Sequence, residues 1–186
     1  MLETARQMLG HDLHDWLVPK LNGSLRLQKP PLAYWMSGAS FHLGAVDEFW
    51  GRLPTAITGW LTLAVVYLGG KWIFGQRAGL IGATTLLGSY FFYRHSRLAE
   101  TDAPAMLFVT LAILAIWRAA DETAFARRAG WFHLAAASTG LAIISKGAPG
   151  AFTALFLIAL ILVERDWKLA IDFLKSGALL TVLVLA

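Results

Sequence analysis

The fold follows from Leu53-Pro-Thr-Ala-Ile-Thr-Gly-Trp-Leu-Thr-Leu-Ala-Val-Val-Tyr-Leu-Gly-Gly70, an uncharged apolar run between Arg52 and Lys71. A helix of about 20 mainly apolar residues crosses a bilayer. A slightly shorter run also suffices, because flanking arginines and lysines extend it by reaching toward the lipid headgroups. This run therefore predicts a transmembrane helix.

Further uncharged runs follow at short intervals: Ala78–Tyr93, Ala103–Trp117, Ala129–Ser145, Gly147–Val163 and Ser176–Ala186. One such run fits the core of a soluble protein, but a series of them is typical of polytopic membrane proteins. We predict an all-α fold, a polytopic transmembrane helical bundle of about five full spans and one partial span. It comprises an extracytoplasmic segment, 1–52, with short surface helices, and a transmembrane region, 53–186.

The composition supports this class of protein. The chain is 57% apolar and only 15% charged, against about 25% charged residues in soluble domains. These values exclude a disordered chain and a coiled-coil rod. The absence of cysteine excludes disulfides, thiolate zinc sites and cysteine nucleophiles. Because the last apolar run is unfinished and the first residues read as a helix in progress, we expect a fragment of a longer protein.

The positive charges are distributed by side of the membrane. Alternate connections between the runs hold eight cations, all predicted to lie in loops: Lys71, Arg77, Arg118, Arg127, Arg128, Arg165, Lys168 and Lys175. The other two connections hold three, Arg94, Arg97 and Lys146. The positive-inside rule places the eight in the cytoplasm and residues 1–52 outside. The basic pI near 9.6 thus reflects topology, and no nucleic-acid partner is expected.

The outer segment contains several local signals. Leu2–Leu9 fits a short amphipathic helix, Lys20-Leu-Asn-Gly23 a turn, and Leu32–Leu43 a helix on the membrane surface. The histidines at positions 11, 14, 42 and 133 have no spacing typical of metal ligands. We interpret these four as structural.

The second outer loop is the main candidate for chemistry: Arg94-His-Ser-Arg-Leu-Ala-Glu-Thr-Asp-Ala-Pro104. It places Glu100 and Asp102 directly before an apolar run, with His95 and Arg97 nearby. Two carboxylates can bind a cation, orient a hydroxyl or remove its proton. The alternative is structural, because Asp102 before Ala-Pro is also a good helix N-cap.

Two outer lysines are candidates for binding a lipid phosphate. Lys29 lies in Gln-Lys-Pro-Pro31, and Lys146 lies in Ser-Lys-Gly-Ala-Pro-Gly150. The alternative for each is a lysine that only reaches to the headgroups. For Lys146, the Gly/Pro break after it frees backbone N–H groups at the start of the next helix, which suits an anion.

Six ordered segments resemble the GT-C membrane glycosyltransferases that take sugars from polyprenyl phosphates. They are Glu3–Met8, Trp16–Gly23, Gln28–Trp35, Glu48–Pro54, Arg97–Asp102 and Ser145–Gly150. The resemblance runs from Glu3 to about Val163. It is greatest to the bacterial aminoarabinose (lipid A) transferase and the protein O-mannosyltransferase superfamily.

The resemblance implies an enzyme of the bacterial inner membrane that transfers a sugar with inversion. The donor would be a polyprenyl-phosphate-linked sugar, and the acceptor a lipid or protein on the periplasmic face. The family's principal catalytic aspartate would precede Met1, so the fragment is expected to lack it. Asp102 is carried over as the second acidic position, and Glu100, which flanks it, is the other catalytic candidate. Lys29 is carried over as the phosphate contact. The further substrate-binding candidates are Arg97, Lys146, Glu3 and Arg6.

The residues themselves assign no metal ligands, although family analogy allows a divalent metal. We also expect Lys29 to form an ion pair with Asp102 until donor binds. The alternative functions are a transporter or flippase fragment, or a non-catalytic membrane protein; transporters place ionisable residues within their spans, whereas here every charge is predicted to lie in a loop.

Overall fold

The computed structural model describes residues 1–9 and 16–185. His11 and His14 lie outside the described residues. The chain forms two compact units, Met1–Pro104 and Ala105–Ala186. Apart from one short hairpin, the regular structure of the described residues is helical, which confirms the all-α prediction.

The elements of the first unit are α1 (Leu2–Gln7), β1 (Lys20–Leu21), β2 (Ser24–Leu25), α2 (Leu32–Leu43), α3 (Glu48–Phe74), α4 (Gln76–Gly88) and α5 (Tyr90–His95). Helix α6 (Asp102–Asp121) begins in this unit and continues in the second. The remaining elements of the second unit are α7 (Phe125–Lys146), a 3-10 turn (Ala148–Gly150), α8 (Ala151–Glu164), α9 (Trp167–Ser176) and α10 (Ala178–Leu185).

Residues Lys20 to Leu25 form an antiparallel hairpin rather than an isolated turn. Asn22 and Gly23 both have positive φ, 52° and 79°. This is the left-handed geometry that tight hairpins require and that Asn-Gly supplies. The predicted turn is therefore confirmed, and the two strands of two residues each are an addition to the prediction.

Helix α2 has the predicted bounds and packs on the start of α3. The Ser37 hydroxyl donates to the carbonyl of Gly51 at 2.9 Å, and the Ser40 hydroxyl donates to the carbonyl of Trp50 at 2.5 Å. These bonds use polar side chains to join the two apolar helices near the start of α3, which Asp47 caps. The placement of α2 on a membrane surface stays a prediction.

Helices α3 and α4 form a close antiparallel pair at two glycines. A Cβ added at Gly79 would lie 2.4 Å from the carbonyl oxygen of Tyr67, and one at Gly70 would lie 2.9 Å from the Cα of Gly79. Only residues without a side chain allow the two backbones to approach this closely.

The helix lengths differ from the lengths of the apolar runs. Among the described residues, two helices, α3 and α6, are long and apolar enough to cross a bilayer, and the segment Ala148–Glu164 is a shorter apolar helix. The run Ala78–Tyr93 is divided, because α4 ends at Gly88 and α5 begins at Tyr90 after an extended Ser89. The number of spans therefore stays a prediction.

The core of the second unit is apolar and includes Phe132, Leu157 and Leu169. Beside it lies a buried ion pair, in which Arg128 Nη1 donates to Asp172 Oδ2 at 2.6 Å. Arg128 also donates twice to the carbonyl of Glu122, at 2.9 and 2.5 Å. The prediction that the eight cations lie in loops is wrong for seven of them, which lie in helices: Lys71, Arg77, Arg118, Arg127, Arg128, Lys168 and Lys175. Arg128 is also buried, at 6% exposed, and the sequence did not predict this because its partner Asp172 is remote in sequence.

Candidate functional site

The structure brings His95, Glu100 and Asp102 together; we call these three residues the His–Glu–Asp cluster. His95 ends α5, and its Nδ1 lies 2.7 Å from Glu100 Oε2. Asp102 begins α6. One potential ligand atom from each of the three residues lies within 4.8 Å of the others. The sequence prediction paired Glu100 with Asp102 and named His95 only as a residue near them.

Short-range backbone bonds shape the loop that carries the cluster. The N–H of Arg97 donates to the carbonyl of Arg94, and that of Glu100 donates to the carbonyl of Leu98. These turns reverse the chain within a few residues, so that Glu100 comes back to His95. Asp102 lies in the first turn of α6, where the helix dipole favours a negative charge.

The loop also rests directly on α3. A Cβ at Gly59 would lie 2.6 Å from the Cβ and Oγ of Ser96. Within the described part of the chain, the buried hydroxyls of Ser96 and Thr101 have no hydrogen-bond partner. Both residues are adjacent in sequence to members of the His–Glu–Asp cluster. The tightly packed loop therefore contains two buried hydroxyls that can still form hydrogen bonds.

The His–Glu–Asp cluster fits a divalent cation by its chemistry. One imidazole nitrogen and two carboxylates form a donor set that suits zinc or manganese. Family analogy alone suggested a metal from the sequence. The sequence did not indicate that His95 contacts Glu100, because this contact depends on the turns of the loop.

Arg97 contacts Tyr93 in this structure. Its guanidinium donates to the Tyr93 hydroxyl and lies 4.9 Å from the centre of the Tyr93 ring. Both residues are exposed. A role for Arg97 in substrate binding would require it to leave this cation–π contact.

Lys29 is exposed and forms no ion pair within residues 1–9 and 16–185. The predicted Lys29–Asp102 ion pair is therefore not formed in this structure. The Pro30-Pro31 pair after Lys29 leads into α2, which restricts the backbone at this position. Its proposed contact with a phosphate stays a prediction.

Glu3 and Arg6, the remaining first-unit candidates, pair with each other. Arg6 donates to both carboxylate oxygens of Glu3, at 2.8 and 2.7 Å. Gln7 donates to Glu3 at 2.8 Å and also joins Asn22 of the hairpin. The arrangement connects α1 to the hairpin, and it stabilises the carboxylate form of Glu3.

This network predicts a local pH dependence. Hydrogen bonds from Arg6 and Gln7 lower the pKa of Glu3 from 4.5 to about 2. Because the folded-state pKa lies below the ordinary value, the stabilising contribution is complete above pH 4.5 and is lost as the pH falls toward 2. We expect the Asn22 amide, which donates to Gln7 Oε1 at 2.9 Å, to lose hydrogen-exchange protection over this range. In Glu3→Gln the protection should not follow that profile; an identical profile in both proteins would contradict the assignment.

Lys146 belongs to the second unit. It is the last residue of α7, and the following Gly147 has a φ of 77° before the 3-10 turn. The predicted break between the two apolar runs is confirmed. Its role as a substrate contact stays a prediction.

The fold matches that of a class of solved structures, the GT-C membrane glycosyltransferases. Two crystal structures of ArnT from Cupriavidus metallidurans, one in the apo state and one bound to undecaprenyl phosphate, each match with a TM-score of 0.87 at 25% identity. Each match covers 99% of this chain and 34% of that chain.

The chain belongs to the dolichyl-phosphate-mannose-protein mannosyltransferase family, whose family model matches residues 28–186. An uncharacterized protein of Aquifex aeolicus is 30% identical over 80% of this chain and 29% of its own. An undecaprenyl phosphate-α-4-amino-4-deoxy-L-arabinose arabinosyl transferase of Pseudomonas savastanoi pv. phaseolicola is 26% identical over 92% of this chain. That match covers 32% of the transferase, so the chain spans about a third of the length of such relatives.

Proposed function

We propose that this chain is part of an enzyme that transfers a sugar from a polyprenyl-phosphate donor to a lipid or protein acceptor on the periplasmic face. The observation that carries the proposal is the His–Glu–Asp cluster at the start of the apolar helix α6. The arabinosyl transferase relatives and the undecaprenyl-phosphate complex of ArnT support this donor class.

The proposed reaction uses Asp102 at the acceptor. The acceptor hydroxyl oxygen bonds to the anomeric carbon of the sugar as its proton moves toward a carboxylate. The bond from the anomeric carbon to the phosphate oxygen breaks, and the polyprenyl phosphate leaves with the electron pair. His95 holds Glu100 through their 2.7 Å contact. The carboxylate that orients the acceptor hydroxyl is therefore that of Asp102.

The leaving phosphate needs positive charge, and Lys29 is the proposed source. A divalent cation held by His95, Glu100 and Asp102 would supply further electrostatic stabilisation when bound. Arg97, Lys146, Glu3 and Arg6 are the proposed secondary contacts of donor or acceptor. We place the enzyme in the bacterial inner membrane with 1–52 outside, 53–186 as the transmembrane region, and membrane lipids as its surroundings.

Lys29→Ala tests the phosphate contact. Charge-assisted hydrogen bonds contribute about 1.5–3 kcal/mol, so kcat/KM for the polyprenyl-linked donor should fall by about 10- to 100-fold. The assay is transfer from that donor by the intact protein in proteoliposomes. Lys71→Ala, at the last turn of α3, is the matched control and should retain activity. Equal kcat/KM in Lys29→Ala and the parent would remove Lys29 from the site.

A further inference from the structure

Helix α9 (Trp167–Ser176) has an unusual division of its surface. Successive residues of a helix are rotated by about 100°. Its exposed residues therefore share one arc of about 120° and comprise Trp167, Lys168, Ile171, Leu174 and Lys175. The rest of the helix surface contains Leu169 and Asp172, which are 1% and 8% exposed.

The exposed arc has two parts. Trp167, Ile171 and Leu174 form an apolar stripe, and these side chains are 64%, 48% and 65% exposed. Lys168 and Lys175 both lie beside this stripe, about two turns apart along the helix. An apolar stripe containing Trp and flanked by lysines is the pattern of a helix at a lipid–water interface.

The acidic residues nearby do not cancel this positive charge. Asp172 is buried in the ion pair with Arg128. Asp166 caps the start of α9, where its carboxylate accepts from the N–H of Leu169. Together with Glu164 and Asp121, Asp166 also lines a separate cavity that neither lysine lines. The exposed charged side chains of α9 are therefore both positive.

We propose that α9 binds the headgroup layer of anionic phospholipids, with Lys168 and Lys175 in contact with the phosphates. The apolar stripe contacts the upper part of the acyl chains. The Arg128–Asp172 ion pair fixes the rotation of α9 about its own axis. A rotation that exposed Asp172 would leave Arg128 buried without its partner. The Trp-containing apolar stripe beside two lysines favours an anionic lipid surface over a protein partner.

A local probe tests this proposal. Because the chain has no cysteine, Ile171→Cys provides a single attachment point for a small dye. The labelled full chain is placed in phosphatidylcholine nanodiscs that contain increasing amounts of nitroxide-labelled phosphatidylglycerol or nitroxide-labelled phosphatidylcholine. We expect the labelled phosphatidylglycerol to quench half of the dye fluorescence at a lower mole fraction than the labelled phosphatidylcholine does. The difference between the two mole fractions should be smaller at high salt.

The lysine variants separate charge from general contact with lipid. In Lys168→Gln and Lys175→Gln the preference for phosphatidylglycerol should fall by about fivefold each, and it should disappear in the double variant. Lys71→Gln in the first unit should keep the parent preference. Equal quenching by both lipids in the parent would overturn the proposal, and so would absence of quenching, which would mean that protein covers α9.

Discussion

Asp102→Asn is expected to reduce sugar transfer by about 100- to 10,000-fold, the usual contribution of a positioned acid or base. The asparagine keeps the size of the side chain and its place in the first turn of α6. It loses the negative charge that receives the acceptor proton. The loss should appear in kcat with little change in KM for the donor, because the phosphate contact is untouched.

Asp121→Asn is the matched control, since Asp121 ends the helix that Asp102 begins. It should transfer sugar at the parent rate. The readout is initial rate with a polyprenyl-phosphate-linked sugar, measured for the intact protein in proteoliposomes. Parent-level kcat in Asp102→Asn would exclude this carboxylate as the group that receives the proton, whatever the result for Lys29→Ala.

Arg128→Met is expected to destabilise the second unit by about 3–5 kcal/mol, because it leaves Asp172 buried without its partner. The side chain of Arg128 is 8% exposed and that of Asp172 is 11% exposed. Loss of the arginine also removes two donors from the carbonyl of Glu122. Equilibrium unfolding in mixed detergent micelles measures the change in the free energy of unfolding.

Two variants complete the experiment. Arg127→Met removes the neighbouring arginine, which is 70% exposed and lies 3.0 Å from Glu122. This change should cost no more than about 1 kcal/mol. The double variant Arg128→Met/Asp172→Leu should recover much of the lost stability, because an apolar pair leaves no buried charge. A cost for Arg128→Met no larger than that for Arg127→Met would show that the buried pair is not stabilising.

Features that depend on near neighbours were predictable from the sequence. The bounds of α2 follow from local apolar spacing, and the turn at Asn22-Gly23 follows from the backbone preferences of those two residues. The apolar runs likewise predict helices at Leu53–Gly70 and Ala103–Trp117, which the structure contains as parts of α3 and α6. Glu100 and Asp102 were identifiable as a pair because they are two positions apart.

Features that depend on remote or three-dimensional contacts were not predictable. The burial of Arg128 requires Asp172, which is 44 positions away, and hydropathy patterns do not pair residues over such distances. His95 joins the candidate site only because the loop turns back toward α5. The break at Ser89 divides a run that contains no charge and no proline, so periodicity alone gave one continuous helix.

The contact between Ser96 and Gly59 links the depth of the His–Glu–Asp cluster in a bilayer to the register of α3. Gly59 lies about 16 Å along the axis from the start of that helix at Glu48, and a bulkier residue there would force the loop to move. Under the proposed function, a carrier lipid would present its phosphate at the level that α3 sets. We therefore expect the rate of sugar transfer to depend on the thickness of the surrounding bilayer, which the chain length of its lipids determines.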